Sequence, residues 1–346
     1  MHRILKRCGT TLLLLAAIAV GSATGAVSPE SGAWLSTRVD PLILALVSLI
    51  FFEVRFETLA RAMGHWRFLT VAWVTNFVII PALGYGIASL FLSGDPLFFT
   101  GLVIYFMGPC TDWFLGFTRL ARGNTSLGSV LLPINMVSQL LLYPVYLGIF
   151  AGQKAGVDPG AVADTLLQWF LVPFAAAVVA HQVLRRVLLA AVFERLLRVA
   201  GKLVPIVIAA LIVCIFAGNI RTISSHPGSF GIILAAVFCF FVATWFLGEL
   251  IARRCRLAYP EHALLAMTTA ARNAPLMLGV TAAALPDQPL VYAALIIGML
   301  VEFPHLTVLL QLLLRRAPAE PPALAGPRSC TAAAPCNSTA PFTSPA

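Results

Sequence analysis

A thiol, two carboxyl groups and a guanidinium stand inside stretches that are otherwise apolar. Cys110 and Asp112 lie in "YFMGPCTDWFLGF", Arg272 and Asn273 in "TTAARNAPLML", and Glu302 in "GMLVEFPHLT". A thiol is a soft ligand and suits a thiophilic metalloid. Gly108 and Pro109 mark a helix interruption just before Cys110, and Pro275 marks a second one. Cys110 is then expected at the start of the half-helix after the break, where unpaired amides and the helix dipole stabilise negative charge on sulfur. Glu302 is central in a hydrophobic run, where ionisable groups are costly and usually functional. It reads either as a proton carrier or as one half of an ion pair with Arg272. His305 follows three residues on, roughly on the same helical face, and reads either as a relay or as a packed ring. Asp112 reads equally as a helix cap and as a ligand for a coupling cation or proton. Asn135, Gln139 and Asn273 are polar groups that line a pathway or bond between helices.

The elements that must hold these groups are membrane spans. Of 346 residues, 60% are hydrophobic and 11% charged, with a mean hydropathy of +0.92. No soluble domain hides that much apolar surface. A span needs roughly 20 apolar residues. Ten fit, near residues 10–27, 41–58, 67–93, 97–121, 127–151, 163–184, 203–220, 229–251, 262–285 and 290–314. Of the 23 basic residues, nineteen fall in the N-terminus and every second connection. Only Arg38, Lys154 and Arg221 fall in the others, and Arg272 lies inside a span. This asymmetry expects both termini in the cytoplasm of a multi-pass plasma-membrane protein. The net charge of +9 is thus a topology signal, and no nucleic-acid partner is expected. The first segment also has the look of a cleaved signal peptide. Its loss would leave nine spans, so a retained span is expected. The tail after Arg316, rich in Ala, Pro, Ser and Thr, is expected to be disordered.

The seven cysteines are scattered with no CxxC, so neither a disulfide framework nor a zinc site is expected. Cys214 and Cys239 read as small packing groups. No HExxH, GxSxG or P-loop occurs, so the chain is not expected to be an enzyme, to hold a cofactor or to drive transport with ATP itself.

Shifted by 163 residues, "LGFTRLARGNTSL" from Leu115 lies over "LGVTAAALPDQPL" from Leu278, and Cys110 falls on Asn273. A shift of 164 lays "DPLILALVSLIFF" over "VPIVIAALIVCIF". The halves, 1–152 and 153–316 ahead of a tail at 317–346, hold five spans each. Five is odd, so the second half enters the membrane from the opposite side. The expected fold is an all-α membrane protein of ten helices in a five-plus-five inverted repeat, with broken helices 4 and 9 crossing at a site.

These features resemble the arsenical-resistance permeases of the bile acid:sodium symporter superfamily. The resemblance rests on "GPCTDWFLGFTRLARGN" with Cys110 on the family cysteine, on "EFP" at Glu302–Pro304, and on "TTAARNAP" in the ninth span. It implies efflux of neutral arsenous acid in exchange for protons, with Cys110 handling the metalloid and Glu302 the coupling. The implied partners are arsenite or a related small solute, protons and lipid, with a homodimer as the candidate assembly. There are departures. Ala274 and Pro275 replace an asparagine and an acid of the family pattern, Arg272 is added, and Asp112 is not explained by it. The alternative reading is a sodium- or proton-coupled uptake symporter for a small organic anion, with Arg272 as counter-charge.

Overall fold

The computed structural model describes residues 2–53, 65–111, 113–151, 172–225 and 227–318. Met1, Asp112, His226, residues 54–64 and 152–171, and the tail from 319 lie outside the described residues. Among the described residues every regular element is a helix, apart from one isolated bridge. A helix satisfies each peptide group within its own segment, which an apolar chain in hydrocarbon requires.

In chain order the helices are α1 (His2–Val27), α2 (Pro29–Ser36), α3 (Val39–Glu53), α4 (Trp66–Val74), α5 (Ile80–Leu92), α6 (Pro96–Met107), α7 (Phe114–Leu120), α8 (Thr125–Tyr146), α9 (Val172–Val187), α10 (Ala190–Ser224), α11 (Pro227–Arg254), α12 (Tyr259–Ala270), α13 (Ala274–Ala284) and α14 (Pro289–Leu314). Wider π-helical turns, Thr75–Ile79 and Leu147–Ala151, join α4 to α5 and extend α8. By length and composition five described helices are able to cross a membrane, or six if α2 and α3, bent by 43° at their break, count as one span. The chain is a multi-pass membrane protein. The expected second and sixth spans run partly outside the described residues. The expected fourth and ninth spans are each two short helices, α6 with α7 and α12 with α13.

One boundary departs from expectation. The basic stretch Arg195, Arg198 and Lys202 is not a loop but the first part of α10. Phe193, Leu197, Ala200 and Val204 recur at helical spacing on its buried face, so the helix starts well before the apolar core of the span.

α1 packs along α10. A side-chain carbon at Gly25 would collide with the Ala217 carbonyl, and one at Gly21 would stand 2.6 Å from the Val213 carbonyl oxygen. Small residues four apart allow this close backbone approach. In the first turn of α5, Pro81 has no N–H to offer the carbonyl four residues back, that of Phe77 in the π-turn. Tyr146 Oη donates to that oxygen instead, at 2.5 Å.

Two buried apolar clusters make up the interior. The first takes α6 and α13 together with α1, α3, α10 and the start of α14. The second takes α7 and α12 with α4 and the end of α14. The first half of one broken helix therefore shares a cluster with the second half of the other.

Candidate functional site

The two breaks meet. α6 stops at Gly108, which is extended (φ −89°, ψ 105°), and Pro109 follows without an N–H. α12 stops at Ala271, also extended (φ −76°, ψ 135°). The two extended segments pair antiparallel, Pro109 opposite Arg272. Cys110 N–H donates to Ala271 O at 3.0 Å, and Asn273 N–H donates to Gly108 O at 2.8 Å. Each break thereby satisfies peptide groups freed by the other, which is what irregular backbone buried in a membrane protein must do. Gly108 is needed for the approach, since a side-chain carbon there would lie 2.6 Å from Met277 Cγ. Asn273 caps α13, its Oδ1 accepting from Leu276 N–H at 3.3 Å, while its Nδ2 donates to Thr111 Oγ1 at 2.9 Å.

Glu302 and Arg272 lie at this crossing, both fully buried. Oε1 of Glu302 accepts from the Arg272 backbone N–H at 2.9 Å and from Trp113 Nε1 at 2.8 Å. One carboxylate thus holds a residue from each break. The Arg272 guanidinium donates to backbone carbonyls: Nη1 to Phe106 O at 2.9 Å, and Nη2 to Thr268 O at 3.0 Å and Thr269 O at 2.6 Å. Phe240 closes one face, its ring centre 5.7 Å from the guanidinium carbon, and stacks in turn on Phe106.

Beside the crossing is a group of buried amides. Asn76 Nδ2 and Asn135 Nδ2 both donate to Thr268 Oγ1, at 3.1 and 3.2 Å. Gln139 is one turn beyond Asn135 on the same face of α8. A side-chain carbon at Gly108 would stand 3.2 Å from its Oε1. Asn76 Oδ1, Asn135 Oδ1 and both polar atoms of Gln139 are buried without a hydrogen-bond partner among the described residues. A buried polar atom left unpaired costs about 1–3 kcal/mol, so these four atoms set the cluster apart from the apolar core around it.

The structure therefore gathers Gly108, Pro109, Cys110, Arg272, Asn273, Glu302, Asn135 and Gln139 at one crossing. Cys110 is not where the sequence places it. It is fully buried, its N–H is used in the pairing, and α7 begins only at Phe114. The pairing ties up Pro109 and Cys110, so the helix starts only after them, and a helix dipole acts only over its first turn. Pro275 does not cause the second break either. It lies within the first turn of α13, where a missing N–H costs nothing. His305 stacks flat on Phe241 at 3.8 Å between ring centres, as a packed ring. Asp112 lies outside the described residues. Sequence reasoning missed Asn76, Trp113 and Thr268. Asn76 alone left a signal, a polar residue within the third span, sharpened by its place in a π-turn.

Paired helix breaks inside a multi-span bundle are a feature of secondary transporters. A family model, that of the Sodium Bile acid symporter family, matches residues 41–226, and the chain belongs to this family of transporters. The probable sodium/metabolite cotransporter BASS2, chloroplastic, of Oryza sativa is 25% identical over 166 residues, which is 48% of this chain and 39% of that protein. The chain thus spans about two fifths of that relative's length. The arsenical-resistance protein Acr3 of Corynebacterium glutamicum is 23% identical over 293 residues, 80% of this chain and 79% of that protein. The uncharacterized sodium-dependent transporter YocS of Bacillus subtilis is 23% identical over 255 residues, 72% of this chain and 74% of that protein.

Proposed function

We propose that the chain is a secondary transporter that exports arsenite, and antimonite with it, from the cytoplasm in exchange for protons. The observation that carries this reading is the crossing itself. It places a buried thiol, a buried carboxyl group and a set of amides with unmet hydrogen-bonding capacity around two interrupted helices. Arsenous acid is small, neutral and rich in hydroxyl groups. Amide oxygens accept from such hydroxyls, and a thiol suits the metalloid. Cys110 and the amides of Asn76, Asn135 and Gln139 therefore receive the solute, while Glu302 takes and releases the proton. The relative named for arsenical resistance matches most of both chains, which supports the same substrate class.

The architecture behind this reading is ten helices in a five-plus-five inverted repeat with cytoplasmic termini. Its support is the clustering of α6 with α13 and of α7 with α12. In an inverted repeat the first half of one broken helix lies on the same side as the second half of its counterpart.

The competing reading is uptake of a small organic anion with sodium or protons. Relatives named as sodium cotransporters favour it. Against Arg272 as counter-charge, both terminal nitrogens of its guanidinium already donate to backbone carbonyls.

The deciding assay uses everted membrane vesicles. Arsenite accumulation on imposing a proton gradient, lost in Cys110→Ser, supports export. Sodium-driven uptake of an organic anion into right-side-out vesicles, with no arsenite movement in either orientation, would overturn it.

A further inference from the structure

The crossing diverts three helix amides from their usual acceptors. In an uninterrupted helix, Phe106 O would accept from the N–H of Cys110, Thr268 O from that of Arg272, and Thr269 O from that of Asn273. Here those N–H groups go to Ala271 O, Glu302 Oε1 and Gly108 O. The three carbonyls left behind are the three that accept from the Arg272 guanidinium. They belong to the last turns of two different half-helices, α6 and α12.

A helix C-terminus carries roughly half a negative charge, concentrated on its last free carbonyls. Two such ends converging on one point favour positive charge between them. Three carbonyl oxygens gathered there, away from water, make a seat for one monovalent cation. The guanidinium fits it, since its planar fork of donors serves several oxygens at once and its weak hydration makes burial less costly than for an ammonium. Phe240 covers its face.

We infer that Arg272 is a tethered cation: its guanidinium fills, from within the chain, a monovalent-cation seat formed by the C-terminal ends of α6 and α12. The crossing then takes no alkali cation from solution. Occupancy of the seat rests on geometry alone; its consequence, a transport cycle that needs no sodium, rests on the transporter reading above.

The test is thermal unfolding of the full chain in lipid nanodiscs, with sodium, potassium or choline chloride at equal ionic strength. Wild type is expected to melt at the same temperature in all three. Arg272→Ala is expected to melt lower by roughly 5 °C or more, as the carbonyls lose their donors. Millimolar guanidinium chloride, which does nothing for wild type, should return much of that loss, and sodium should now stabilise the variant over choline. Arg272→Lys keeps the charge and should need no added cation. Arg272→Gln repeats the comparison should Arg272→Ala not yield folded protein. A residue that only fills space would show no rescue by a small cation. Specific stabilisation of wild type by sodium, or variants indifferent to every cation, would overturn the proposal. No solute is present in these measurements, so they stand or fall apart from the arsenite assay.

Discussion

The backbone N–H of Arg272 donates to Oε1 of Glu302 over 2.9 Å, joining the second helix break to the one carboxylate of α14. The same oxygen accepts from Trp113 Nε1, so a change at this carboxyl group reaches both breaks at once. If Glu302 carries the proton as proposed, its titration acts by contact on the backbone of the second break and on Trp113 of the first.

Glu302→Gln separates the carboxyl group's two roles. Glutamine keeps an oxygen for the two donors but cannot bind and release a proton. Proton-driven exchange is expected to fall at least tenfold, with the melting temperature close to that of wild type. Glu302→Ala leaves both donors buried without an acceptor, at about 1–3 kcal/mol each, and should unfold well below wild type. Vesicle flux and thermal unfolding on the same preparations check both. A Glu302→Gln variant that still exchanges at the wild-type rate would remove Glu302 from the coupling.

Cys110 is buried and its N–H, not its sulfur, makes the break-to-break bond to Ala271. Cys110→Ser and Cys110→Ala should therefore keep the crossing. Serine is close in size but a hard oxygen ligand, so affinity for the metalloid should drop by about tenfold or more, equivalent to roughly 1.4 kcal/mol. Cells lacking other arsenite exporters should become sensitive to arsenite with either variant, while the protein stays at its normal level in the membrane. Tolerance equal to wild type would exclude the thiol from solute handling.

Much of this was legible in the chain because membrane burial exaggerates contrast. Arg272, Asn273 and Glu302 stand out in apolar runs, and Gly108–Pro109 announces an interruption. What could not be read is where backbone groups go once a helix breaks. That the Arg272 side chain would serve carbonyls of both α6 and α12 depends on the antiparallel meeting of the breaks, which has no local signature. Thr268 and Trp113 were invisible for another reason. Threonine and tryptophan are ordinary in membrane helices, and only their partners, the two asparagines and Glu302, give them a role. The early start of α10 has a competing signal, since its clustered basic residues mark the end of a span and mask the helical spacing of Phe193, Leu197 and Ala200.

Gly25 tests whether α1 is part of the working bundle. Its contact with the Ala217 carbonyl leaves no room for a side chain, and both partners are backbone on rigid helices. Gly25→Leu must push α1 off α10, at about 1–3 kcal/mol or more. Reduced melting temperature and new protease sensitivity in α1 are expected, whereas Gly86→Leu, at a position with open space around it, should be neutral.

Gln139 gives the sharpest separation of stability from function. Its amide is buried, and neither Oε1 nor Nε2 has a hydrogen-bond partner among the described residues. An apolar replacement of similar size removes two unmet polar atoms and breaks no bond, so Gln139→Leu should unfold at the same temperature as wild type or above it. If those atoms face the solute, the same variant loses its contacts with arsenous acid. Transport at limiting arsenite should then fall about tenfold, with a smaller effect at saturation, as expected when binding instead of the cycle is impaired. Asn135→Leu is the control with the opposite sign for stability, because its Nδ2 does donate to Thr268 Oγ1 and that bond would be lost. A Gln139→Leu protein that is destabilised yet transports normally would mean that the amide serves packing and that the solute lies elsewhere along the crossing.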